Sequence, residues 1–141
     1  MKSSEIHFTG VWQTRLDSSL RLCIRAGWRQ LAGDLLYMLS SSNHDHPVIK
    51  VLMQENYDEK LRLIMTSSKT QREKWQLAAK LAQLCREVRL DPRNRILIPP
   101  NMARSIGLQK CRSVTLVGCG YHFEIWETGN YQAFLSEGHT S

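Results

Sequence analysis

A chain of 141 residues, 42% hydrophobic and 23% charged, has the length of one domain, or of two half-size units sharing a core. Its longest unbroken apolar run, Leu35 to Leu39, falls far short of a membrane-spanning helix, and the composition is not that of a disordered chain. Nineteen Lys+Arg against thirteen Asp+Glu leave a formal charge of +6, which favours an anionic partner. Residues 80–112 carry Lys80, Arg86, Arg89, Arg93, Arg95, Arg104, Lys110 and Arg112 against Glu87 and Asp91, so this stretch alone matches the whole net charge. Residues 1–10 lack the apolar core of a signal peptide, so a cytoplasmic protein is expected, with Cys23, Cys85, Cys111 and Cys119 as reduced thiols.

In chain order, a short strand runs into Asp17, a tight turn follows, and a second strand continues through Ile24. Leu35 to Leu39 and Val48 to Met53 read as a strand pair joined by a polar loop, Ser40 to Pro47. Asp58 to Met65 reads as a short helix, broken by Thr66-Ser67-Ser68, and Gln71 to Cys85 as a second one. In that second helix Trp75, Ala78, Ala79, Ala82 and Cys85 form a stripe expected to pack on the domain. A strand into Asp91, a turn and a strand through Ile98 come next, ended by Pro99-Pro100. A short helix from Asn101 to Ile106 is closed by Gly107 in a left-handed position. Val114 to Val117, a turn at Gly118-Cys119-Gly120 and Tyr121 to Trp126 read as a hairpin, with Tyr121, Phe123 and Ile125 on one face. The aromatic residues Trp12, Trp28, Trp75, Tyr121, Phe123 and Trp126 read as core or interface rather than as base-stacking platforms. The tail from Ser136 reads as frayed.

These elements repeat at a spacing of 74 residues. Arg15, Leu16, Asp17 and Arg21 stand over Arg89, Leu90, Asp91 and Arg95, and Leu22 and Ile24 over Ile96 and Ile98. Gly33 stands over Gly107, and Asn56-Tyr57 over Asn130-Tyr131.

With this repeat the chain resembles the MraZ family of bacterial transcriptional regulators, from about Gly10 to Tyr131 and most closely from Val88 onward. The family signature is Asp-x-x-x-Arg in each repeat, with Gly before the Arg and an aliphatic-x-aliphatic-Pro run after it. The second copy reads Asp91-Pro92-Arg93-Asn94-Arg95-Ile96-Leu97-Ile98-Pro99, then Gly107-Leu108, Val114 to Gly118 and Phe123 to Trp126; only the glycine is replaced, by Asn94. The first copy keeps Asp17 and Arg21 but has Leu20 for the glycine and Arg25 for the proline. A leucine is costly at positive φ, so this turn either has another shape or lacks the left-handed residue.

The resemblance implies a β-rich α+β fold, a double-psi β-barrel-like pseudo-dimer of two AbrB-like swapped-hairpin repeats. The repeats would span residues 10–57 and 88–131, joined by a helical linker at 58–87. It also implies ring-like homo-oligomers on direct repeats in promoter DNA, repression of cell-division and cell-wall genes, and a nucleoid-associated location. Arg21 and Arg95 would contact DNA, with Arg93 and Arg25 beside them and phosphate contacts from Arg86 and Arg89, while Asp17 and Asp91 orient the loops. A guanidinium can pair with phosphate or with the guanine edge, and an Asp four residues earlier can fix its direction through the ion pair or through turn amides. On residues alone, two structural turns with solvated ion pairs explain the motif as well. An AbrB-like antitoxin, or an oligomeric scaffold that has lost DNA affinity, is the alternative reading.

No nucleophile motif, P-loop or dinucleotide fingerprint is present, so no enzyme and no cofactor is expected. Cys119-x-x-His122 with Cys85 and Cys111 could supply metal ligands in principle, and His44 and His46 could bind adventitiously. Without a paired Cys-x-x-Cys the sequence leads to the expectation of no metal site.

Overall fold

The structure, a computed structural model, describes residues 8–25, 27–28, 35–109 and 112–138. Gly33, Lys110, Cys111 and the last tail residues lie outside these, so the readings that involve them stay at the level of sequence.

The chain is a strand-rich α+β protein. Strands β1 (Val11–Arg15), β2 (Arg21–Cys23), β3 (Leu35–Asn43) and β4 (His46–Met53) lead into helix α1 (Gln54–Met65) and helix α2 (Gln71–Leu84). Strands β5 (Cys85–Arg89) and β6 (Arg95–Leu97), helix α3 (Pro100–Ser105), strands β7 (Ser113–Gly118) and β8 (His122–Glu127), and helix α4 (Thr128–Ser136) complete it. Six strands form one antiparallel sheet in the order β1-β7-β8-β4-β3-β5, while β2 and β6 pair as a separate two-stranded ribbon.

That order exchanges strands between the repeats. β1 of the first copy pairs with β7 of the second, Val11 opposite Val117, and β5 of the second pairs with β3 of the first, Leu36 opposite Val88. The two hairpins meet at the centre, where β4 pairs with β8. The ribbon is extended symmetrically by the amide of Ile24 donating to the Asn94 carbonyl (2.8 Å) and that of Ile98 donating to the Leu20 carbonyl (2.9 Å).

Strand alternation decides where the core sits. One face of the sheet sends Leu36, Met38, Ile49, Val51, Phe123 and Ile125 into the main core. The ribbon closes over that face with Leu22, Ile24, Ile96 and Ile98, and α3 with Met102 and Ala103. Phe8, Trp28 and Phe123 meet there with ring centroids 5.0–5.5 Å apart. The opposite face carries a smaller cluster, Val48, Val117 and Trp126, under Tyr131 and Phe134 of α4. Gly118 is required where the N-terminal segment crosses β7: a Cβ there would stand 2.6 Å from the Phe8 carbonyl oxygen.

Several sequence expectations change. The polar run Ser40 to Pro47 is not a loop: Ser40 pairs with Ile49 and Ser41 with Val48, so both strands extend to a two-residue turn. His44 and Asp45, at φ 49° and 68°, take the primed-turn conformation that matches strand twist. α1 starts at Gln54 rather than at Asp58. The stripe on α2 is left largely in solvent, since neither α1 nor α2 has a buried residue and Trp75 is 63% exposed, while the stripe's last member, Cys85, opens β5 instead of ending the helix. Trp12 is also exposed, and Tyr121 stands in the turn outside the core, apart from Phe123 and Ile125.

Candidate nucleic-acid interface

Each repeat builds the same turn. In the first, Asp17 Oδ1 accepts from the amides of Ser19 (2.8 Å) and Arg21 (2.9 Å); in the second, Asp91 Oδ1 accepts from those of Arg93 (2.8 Å) and Arg95 (2.9 Å). The backbone closure matches as well: the Asp17 amide donates to the Arg21 carbonyl and the Leu20 amide to the Asp17 carbonyl, as Asp91, Arg95 and Asn94 do 74 residues later. The expectation from Leu20 is thereby corrected. Leu20 has φ 65° and Asn94 φ 63°, so the leucine adopts the left-handed position and the turn keeps its shape. The compensating contact is the Leu20 side chain itself, half-buried against the main core.

Each turn feeds a ribbon strand in which every second residue is buried. Leu22 and Ile96 face inward opposite one another, so Arg21 and Cys23 of β2, and Arg95 and Leu97 of β6, point outward. Alternation carries on to exposed Arg25. Arg21, Arg25, Arg93 and Arg95 therefore share the outer surface of the ribbon and its turns, whereas Arg86 and Arg89 are exposed on β5, at the edge of the large sheet.

The four cations are held differently. Arg95 Nε donates to Asp91 Oδ2 (2.9 Å), and its Nη1 lies 3.7 Å from Asp17 Oδ2, so this guanidinium spans both aspartates. Arg21 makes no ion pair among the described residues; its Nη1 donates to Ser19 Oγ (3.2 Å). Arg25 lies over the exposed Trp12 ring, 3.6 Å from its centroid, a cation–π contact that also shields the indole. Arg93 projects from the turn into solvent. The Arg21 amide and the Ser19 hydroxyl lead in holding the Asp17 carboxyl below the usual range. Partial burial works to raise that of Asp91, but the Arg95 and Arg93 amides and the Arg95 guanidinium outweigh it and lower it.

Sequence reasoning missed three participants. Ser19 occupies the place of Arg93 in the first turn, and the repeat alignment contains this signal. Trp12 as the platform for Arg25 joins β1 to the segment after β2 within the first repeat, at a spacing that no local pattern announces. Arg112 anchors the first turn by donating from Nη1 to the Asp17 carbonyl (2.8 Å), a contact across 95 residues that no motif announces.

Residues 83–141 match the model of the MraZ protein family, a group described as antitoxin-like. Over 132 residues the chain is 28% identical to the "Transcriptional regulator MraZ" of Leuconostoc mesenteroides, covering 92% of this chain and 87% of that protein. The protein of the same name from Methylibium petroleiphilum is 29% identical over 135 residues, 95% of this chain and 89% of the relative. A shorter match of 56 residues, 37% of this chain and 38% of the relative, reaches 39% identity with that of Paraburkholderia phytofirmans.

Proposed function

We propose that this chain, which carries a MraZ domain in its second half and is related to MraZ transcriptional regulators over most of its length, is itself a transcription regulator that binds DNA through the β2–β6 ribbon. The observation that carries this reading is the pair of matching Asp-x-x-x-Arg turns, which set Arg21 and Arg95 on the outer face of one rigid ribbon. A two-stranded ribbon fits the major groove, and phosphates supply most of the affinity of such contacts. Arg21, with no carboxylate partner among the described residues, is ready for phosphate or a guanine edge. Arg95 must loosen its contact to Asp17, or present its remaining nitrogens while still held by Asp91. Arg93 and Arg25 add cations at different places in the two turns, so the two half-surfaces are not electrostatically identical.

The full reading is a sequence-specific repressor of cell-division and cell-wall genes, cytoplasmic and nucleoid-associated. It binds promoter direct repeats as a ring-like homo-oligomer, with the large sheet and the ribbon as a double-psi-type barrel of two swapped-hairpin repeats. Weak contacts from several protomers add through effective concentration. No helix among the described residues is long and apolar enough to cross a membrane. The scaffold without DNA affinity has its sequence basis in the departures at Leu20 and Arg25, and the shared shape of the two turns, with Leu20 left-handed like Asn94, weighs against the first of these. A gel shift with DNA from upstream of the protein's own gene tests it. A retarded complex that survives excess scrambled competitor is expected; no complex at low salt would overturn it.

A further inference from the structure

On the face of the sheet turned away from the ribbon, three metal-ligating side chains come together. The β7–β8 turn is closed by the Cys119 amide donating to the His122 carbonyl (2.9 Å), with Gly120 left-handed at its tip, and this folds Cys119 back beside His122. Two residues further along β8, alternation returns Glu124 to the same face as His122, opposite the core-facing Phe123 and Ile125. Cys119 Sγ and one ligand atom each from His122 and Glu124 all lie within 4.8 Å of one another.

Two features make this more than proximity. Glu124 is only 4% exposed, and its Oε1 accepts from Trp126 Nε1 (3.0 Å) and Asn43 Nδ2 (3.4 Å). Its second carboxylate oxygen, Oε2, is turned toward His122. His122 Nε2, in turn, is shut off from solvent without a hydrogen bond, and stands 3.9 Å from that same Oε2. A buried imidazole nitrogen without a hydrogen bond, facing a carboxylate oxygen beyond hydrogen-bond distance, leaves that nitrogen short of a hydrogen-bond partner or a cation. Lys50, opposite Glu124 across the strand pair, makes no ion pair with it. Cys119 and Glu124 also line a cavity of about 170 Å³ with Asn43 and Trp126, which gives room for a further small ligand.

We propose that Cys119, His122 and Glu124 form a binding site for a zinc-class divalent cation, with a fourth position open to water. Sulfur, imidazole nitrogen and carboxylate oxygen are the ligand types such an ion takes, and tetrahedral bond lengths bring ligand atoms about 3.3–3.7 Å apart. From within 4.8 Å of one another, the three atoms need close by no more than about 1.5 Å, which side-chain rotation supplies. Bound there, the ion would tie the turn to β8.

Co2+, which reports its ligands through its colour, tests the site on the intact, reduced chain, followed by displacement with Zn2+. One Co2+ per chain is expected, with a thiolate-to-metal charge-transfer band and the intense visible bands of a four-coordinate site. Cys119→Ser, a near-isosteric change at an exposed position, should abolish the charge-transfer band and weaken binding more than about a hundredfold, beyond the cost of losing an outer hydrogen-bond partner. His122→Gln should weaken binding similarly, while Cys23→Ser keeps the full spectrum. Circular dichroism and the thermal midpoint check that each variant is folded. A wild-type spectrum without the charge-transfer band, an undiminished band in Cys119→Ser, or unchanged affinity in His122→Gln would overturn the proposal.

Discussion

Asp17 and Asp91 each hold a turn with a single carboxylate oxygen, and this puts an acid limb into the stability of the protein. Both carboxyls titrate below their ordinary value in the fold. Their contribution is therefore complete above the unfolded carboxylate range, near pH 4, and is lost as the pH falls through the lower folded value. The Asp17→Asn, Asp91→Asn double variant should show a thermal midpoint that depends less on pH below about 4 than the wild type. A parallel acid limb would refute the assignment. At the neighbouring position, Leu20→Gly relieves left-handed strain of about 1–2 kcal/mol and loses apolar burial of similar size, so denaturant unfolding should stay within about 1 kcal/mol of wild type. Leu22→Ala, two residues on and fully buried, should cost about 2–5 kcal/mol. The aspartates and arginines were legible because the repeat stated them twice. Leu20 was not, since intrinsic preference argues against its backbone and only a tertiary contact with the core overrides it.

Among the elements, the α1–α2 pair shows where periodicity stops being informative. Spacing located α2 well, and its start is fixed by a capping box in which Thr70 and Glu73 exchange hydrogen bonds. The apolar stripe identified a helix but not what the stripe would touch, and here Trp75, Ala79 and Ala82 face solvent. Trp75→Ala should accordingly change stability by less than about 0.5 kcal/mol, as for an ordinary surface site. Trp126→Ala, in the cluster under α4, should cost about 3–5 kcal/mol. Equal losses in denaturant titrations would mean that Trp75 is covered in solution. The β3–β4 hairpin misled in the opposite sense. Serines suggested a loop, but on β3 they alternate above a partner strand rich in Val and Ile, and His44-Asp45 makes the turn without a glycine.

For the molecule as a whole, strand exchange is the governing fact. β5 has no sheet partner within its own repeat, and β7 would lose β1, so residues 86–141 alone would expose the edges and apolar faces that the first repeat covers. That fragment should be unfolded or self-associated, by circular dichroism and light scattering; a monomer with cooperative unfolding would contradict a shared core. The repeat in the sequence announced two equivalent halves. The pairing of each half's first strand with the other half's hairpin came from the family resemblance, because local pattern carries no information about which copy supplies the partner.

The same exchange joins one arginine from each repeat on a single ribbon, and the functional account depends on that ribbon. The most direct test is the affinity of the full chain for its upstream DNA across a series of salt concentrations, for wild type and for the Arg21→Ala, Arg95→Ala double variant. The account predicts unchanged oligomeric state and nearly unchanged melting, with weaker binding and a log–log salt slope shallower by about one unit for each phosphate that a protomer no longer neutralises. Equal affinity and equal slope for the two proteins would contradict it and leave the paired turns as structural devices only.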